Sequence, residues 1–98
     1  MIEELLDYVK KSDLEKGLEY SEKKVNYVGT SIDGEEVVHN FVVASEHTSK
    51  SYIVTVVENE EEEILDIDCT CPQFLLTDSC KHVAAVLVKY QGEMFFTN

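Results

Sequence analysis

All three cysteines of this chain fall between residues 69 and 82, and a histidine closes the window: Cys69-x-Cys71, eight residues, then Cys80-x-His82. No other feature restricts the fold as tightly. On an extended segment, residues i and i+2 point to the same face, so the thiolates of Cys69 and Cys71 can meet one ion. Tetrahedral zinc, with Zn–S near ~2.3 Å, wants its sulfurs about 3.8 Å apart, within reach of such a pair. Cys80 and His82 repeat the spacing where the last helix begins, and the residues between them turn the chain back over the ion. Four ligands with no open position describe a closed, structural site.

Three other readings compete with zinc. A disulfide between Cys69 and Cys71 is strained and leaves Cys80 over. A Cys80–His82 nucleophile pair needs an orienting third group and an oxyanion hole, and no segment matches either. Core cysteines without a ligand role fit the paired spacing poorly. An odd number of cysteines in an intracellular chain favours metal ligands or reactive thiols over a disulfide framework.

The 98 residues suffice for one domain with a moderate core, and 44% hydrophobic with 29% charged residues is a globular composition. Twenty acidic residues against eight lysines, with no arginine, give a net charge of −12. That balance weighs against a free-standing binder of nucleic acid or anionic membrane, which needs a basic face. It favours a basic or neutral partner. No apolar run approaches a membrane span, and MIEELLDYVKKSD lacks the pattern of a secretion signal, so the expected location is intracellular, cytoplasmic in a bacterium.

Along the chain, Ile2, Leu5, Leu6 and Val9 mark an amphipathic helix over 2–11. Ser12 with Glu15 has the form of a capping box and predicts a second helix, its face continued by Leu14 and Leu18. Gly17 inside it costs about 1 kcal/mol against alanine and marks a close approach to the sheet that follows. From Val25 the period changes to two. VNYVGTSI, an Asp33-Gly34 turn, EEVVHNFVVA, SYIVTVV and EILDIDC predict a four-stranded antiparallel meander. The acidic run Glu60–Glu63 reads as a solvated hairpin tip. Pro72 ends the fourth strand, 73–79 is a connection, and KHVAAVLVKY is a buried helix capped by Ser79 or Asp78, with Gly92 past its end. The fold class is α+β in a single domain: a helical lead over 1–24, the meander over 25–68, the metal unit and helix over 69–91, and a tail over 92–98. Phe95-Phe96 in that tail suggests a fragment of a longer protein, or else a small free-standing relative.

Cys69-x-Cys71-Pro72 and Cys80-Lys81-His82, followed by VAAVLV, resemble the SWIM zinc finger, a family defined by C-x-C-x(n)-C-x-H. All four ligand positions match. Lys81 and the apolar helix resemble the bacterial branch, in which the finger lies near the N-terminus of Swi/Snf-type helicases. Residues 12–68 are similar to the segment preceding the finger in those proteins. The resemblance implies a ββα-like zinc unit ending in a helix, one structural Zn2+, and a role in contact with protein or DNA, as in the Mutator-like transposases, ubiquitin-pathway proteins and kinases that share it.

No phosphate loop of the GxxxxGK[ST] form is present, so the chain itself is not expected to be an enzyme. Two functions remain: a module contacting a protein or neighbouring domain, and a DNA-contact module, which the charge disfavours. Lys81, Phe74 and Lys89 are the candidate partner contacts. The lysines are scattered, however, and Lys81 with Lys89 reads first as ordinary helix solvation. Tyr27, Phe41, Tyr52 and Phe74 read as core or cross-strand aromatics before base-stacking platforms. His39 and His47 read as surface or strand histidines.

Overall fold

The alternation that begins at Val25 builds the sheet. In a computed structural model, which describes residues 2–61 and 63–90, the strands are β1 (Val25–Asp33), β2 (Glu36–Ala44), β3 (Ser51–Glu58) and β4 (Ile64–Cys69). They pair antiparallel in the order β1-β2-β3-β4, the expected meander. Phe41 and Val43 on β2 face the core with Val54 and Val56 on β3, while Val28 and Ile53 on the opposite face are exposed. One face is thus covered and the other open, the condition under which alternation fixes strand register. The β1–β2 turn is Gly34-Glu35, one residue later than expected, and Gly34 takes φ +66, a conformation without steric cost only for glycine.

At the β3–β4 hairpin, the side-chain Oδ1 of Asn59 accepts from the backbone amides of Glu61 and Glu63. Glu60, Glu61 and Glu63 are exposed there, as a solvated tip requires.

The helical lead departs from its expected shape. The first helix, α1, is only Ile2–Leu5, and α2 runs over Lys11–Leu18. Lys10 has extended backbone and gives its amide to the Ser79 hydroxyl at 2.9 Å, so a helix over 2–11 is broken by a tertiary bond. Leu5 and Val9 are buried, but Leu6 is exposed. The Ser12–Glu15 capping box does not form: Lys10 is the N-cap and supplies no side-chain bond. A 3-10 turn over Glu22–Lys24 leads into β1.

The connection at 73–79 is also different. Pro72–Thr77 form a short helix, α3, with proline in its first turn, where a missing amide costs nothing. Asp78 closes it at φ 58, in the left-handed region. Neither Ser79 nor Asp78 caps the last helix, α4 (Lys81–Tyr90). Gly92, the tail over 92–98 and Phe95-Phe96 lie outside the described residues.

α4 lies across the covered face of the sheet, touching all four strands, with Val83, Val86 and Leu87 fully buried. α2 packs on α4. A Cβ built on Gly17 would stand 2.5 Å from the Ala84 Cβ and 2.9 Å from backbone atoms of Ala84 and Ala85. The close approach at Gly17 is therefore to α4, not to the sheet. Backbone cannot yield as a flexible side chain does. Gly17→Ala is expected to destabilise the domain by about 1–3 kcal/mol through overpacking, despite the better helix propensity of alanine. A lowered urea midpoint with an unchanged slope would register this; an unchanged midpoint would mean that the helices separate at little cost.

Candidate metal centre

The four residues of the cysteine–histidine pattern come from three elements that meet at one end of the sheet. Cys69 is the last residue of β4, Cys71 is the N-cap of α3, Cys80 precedes α4 and His82 lies in its first turn. Cys71 keeps extended backbone, φ −74 and ψ 153, so the i, i+2 geometry carries past the end of the strand. The ligand atoms of Cys69, Cys71, Cys80 and His82 all lie within 4.8 Å of one another, and all four residues are buried.

Each half of the cluster is anchored by a helix start. The Phe74 amide donates to the Cys71 sulfur at 3.4 Å, and the Val83 amide donates to the Cys80 sulfur at 3.4 Å. Amides aimed at sulfur favour the thiolate. Without a cation, crowding and burial prevail. Contact with the Cys69 thiol, then burial, push Cys80 far above the ordinary thiol range, and burial pushes Cys71 up as well.

The residues fit zinc. The cysteines are all free, so no disulfide occupies the cluster. The Nδ1 atom of His82 is buried and has no hydrogen-bond partner, an orphaned site that a cation satisfies. Three sulfurs and one imidazole, closed from solvent, are the donor set of a structural zinc site. Zinc supplies here the charge that lets three neighbouring thiolates coexist, and the protein's part is to hold them.

Around the ligands, aromatic rings fix the imidazole. Tyr52 packs against His82 at 4.8 Å between centroids and Tyr20 meets it edge-on at 5.9 Å. The Tyr20 hydroxyl donates to the Ala44 carbonyl, tying that ring to the end of β2. The Tyr20 hydroxyl is pushed up to about 12, first by burial and then by the nearby Glu46 carboxylate.

The loop between the ligand pairs is held from α2. Asp13 is buried; its Oδ2 accepts from the Ser79 hydroxyl at 2.6 Å and its Oδ1 accepts from the Gln73 amide at 3.0 Å. This clamp beside Cys80 was not anticipated from sequence. The one available signal was an aspartate within the first turn of a helix, which reads as an ordinary dipole partner.

The other candidate residues are placed as follows. Phe74 is 8% exposed, in the core beneath α3. The Lys81 amine stands 3.8 Å from Glu46, and the Lys89 amine donates to the carbonyls of Glu22 and Val25 at 3.0 and 2.8 Å. Phe41 is fully buried, and Tyr27 and Tyr90 pack against it at 5.7 and 4.9 Å. Tyr52 is half-buried against His82. His47 is exposed. His39 is a strand histidine on β2, and it is buried rather than at the surface: its Nε2 is 2.6 Å from Glu58 and its Nδ1 is 2.8 Å from the Thr30 hydroxyl, which also bonds Tyr27. The signal for this was available, since His39 and Glu58 stand in phase with the buried residues of β2 and β3.

Residues 52–91 match the SWIM zinc finger family. The matched segment runs from within β3 through β4, α3 and α4 and includes all four ligands, so the similarity to that family covers two strands of the sheet as well as the zinc loop. No curated protein and no solved structure matches the chain.

Zinc in such units is worth on the order of 10–16 kcal/mol of apparent folding free energy. Cys69→Ser or His82→Ala is expected to abolish stoichiometric zinc and to lower the melting temperature, read by elemental analysis and circular dichroism; a variant retaining both would remove the ligand from the site. Acidification releases the metal, because protons compete for thiolates and imidazole. The zinc-free protein has the opposite sensitivity. Cys71 and Cys80 have folded-state values above the unfolded one, so their stabilising effect is present below pH ~8.5 and is lost as pH rises further. Its melting temperature should fall through that alkaline range while the zinc-loaded form stays level.

Asp13→Ala leaves Ser79 and Gln73 without their acceptor. A loss of about 1–3 kcal/mol is expected, together with faster zinc release to a chelator.

Proposed function

We propose that this chain is a zinc-ordered contact module, the accessory region of a Swi/Snf-type helicase, which meets a protein or a neighbouring domain of the motor chain. The helicase parentage rests on the resemblance of Cys69-x-Cys71-Pro72, Cys80-Lys81-His82 and the apolar helix after them to the bacterial branch of the SWIM family.

The contact role is carried by one observation: the distribution of charge. A net charge of −12 becomes one unit more negative when three thiolates bind one divalent ion. Of the few lysines, Lys24 and Lys89 are spent on backbone carbonyls and Lys81 stands beside Glu46. Phosphate recognition requires clustered cations that release counterions on binding, and lysines engaged in this way build no such cluster. The zinc is structural in this reading, the four ligands leave no position for a substrate, and the chain by itself catalyses nothing. Its expected location is intracellular, and no helix among the described residues is long and apolar enough to cross a membrane.

Titration of labelled single- and double-stranded DNA with the zinc-loaded protein at low salt tests the contact role. Weak binding is expected, with little dependence on salt. Tight binding that falls steeply with salt would replace the protein-contact reading with a DNA-contact one. Motor motifs in the same reading frame test the parentage, and a frame without them would point to a free-standing adaptor.

A further inference from the structure

β4 is an edge strand, and a groove of about 290 Å³ runs beside it between the end of α1 and the zinc loop. It is lined by the apolar residues Ile64, Leu65, Ile67 and Phe74 with Tyr8, and by three aspartates, Asp7, Asp66 and Asp78. A second lobe of about 250 Å³ shares Asp7, Tyr8 and Asp78 with the first and continues toward Lys10 and Ser79. No lysine lines the larger lobe. Among the described residues, none of the three carboxylates is paired with a cation, in contrast to the engaged lysines elsewhere.

We propose that this groove is the docking site for an extended, lysine- or arginine-bearing segment of a partner protein. The inference rests on the protein-contact reading above and names its surface and the chemistry of its partner. Charge complementarity selects the occupant. A basic side chain lays its alkyl stem over Tyr8 and Phe74 and brings its charge to the aspartates, as long cationic side chains do on mixed surfaces. The alternating side chains of an extended segment suit a groove beside a free strand edge, where one set enters and the other stays in water. Carboxylates around the groove act together: the Tyr8 hydroxyl is pushed up first by burial and then by Asp7, Glu4 and Glu63. Anionic partners such as nucleic acid are repelled by the same field.

Zinc is part of this surface. Phe74 and Asp78 belong to the stretch between Cys71 and Cys80, so one wall of the groove is chain that both ligand pairs hold in place. Loss of the metal is therefore expected to loosen that wall of the groove. A metal with no open coordination position acquires a role in recognition by shaping a wall.

The test uses the zinc-loaded 98-residue chain and two fluorescent six-residue peptides, one alternating lysine with valine and one alternating glutamate with valine. Fluorescence anisotropy should show the lysine peptide binding and the glutamate peptide not. Chelation of zinc should abolish binding. Asp7→Lys with Asp66→Lys should weaken it about tenfold or more through like-charge contact, with zinc content and melting unchanged; Asp7→Asn with Asp66→Asn, which adds no charge, should weaken it less. Amide chemical shifts on the unaltered protein should move at Asp7, Ile67 and Phe74. Equal binding of both peptides, affinity indifferent to the substitutions or to zinc, or shifts centred on Val28 and Ile53 of the open sheet face would overturn the proposal. Failure of the lysine peptide to bind would also overturn it and leave the protein-contact reading in place, because that reading falls to the DNA titration and not to this one.

Discussion

Three thiols and one imidazole are brought into van der Waals range of one another in the interior, and the arrangement of everything around them follows from that. Neutral thiols gain little from such crowding, and thiolates without a counter-charge repel. A divalent cation turns the same geometry into the strongest cross-link in the molecule. Its position matters as much as its strength. Cys69 belongs to the sheet, Cys71 to α3, and Cys80 and His82 to α4, so the metal joins the sheet to the helix that covers it. A small domain has a limited core, and a metal at the junction of its two layers supplements that core where the layers separate most easily.

The helical lead is joined to the same junction by polar bonds. The Asp13 carboxylate reaches Gln73 in the first turn of α3 and Ser79 just beyond its end, and the Lys10 amide completes the chain through the Ser79 hydroxyl. A buried carboxylate is tolerated only when its oxygens are satisfied, so α2 and the zinc loop hold their mutual position together. Gly17 against Ala84 fixes the other side of α2 by contact distance alone. The SWIM match begins within β3, but the structure that supports the zinc loop begins some forty residues earlier.

Charge divides the surface by use. Lys24 and Lys89 donate to backbone carbonyls of Ser45, Glu22 and Val25, and carboxylates gather on the hairpin tip and along the β4 edge. The excess of acid thus has two roles: exposed acids at a strand edge discourage pairing with another copy, and the field they create selects cationic partners.

The spacing of three cysteines and a histidine already contained the metal site, because i, i+2 pairs share a face whatever the rest of the chain does. The alternation from Val25 onward likewise contained the sheet, its order and its buried face, since a slip of one residue would expose the core. Other features were out of reach for a reason common to them all: they depend on groups distant in the chain. The helix expected over 2–11 stops because the Lys10 amide finds Ser79, and Asp13 is buried because Gln73 and Ser79 await it. The short α3 escaped notice because six residues carry too little periodicity to be read, and its start depends on a cysteine serving as cap. Local periodicity and ligand spacing are properties of neighbouring residues and can be read from their order, whereas the partner of a buried polar group is chosen only when the layers close.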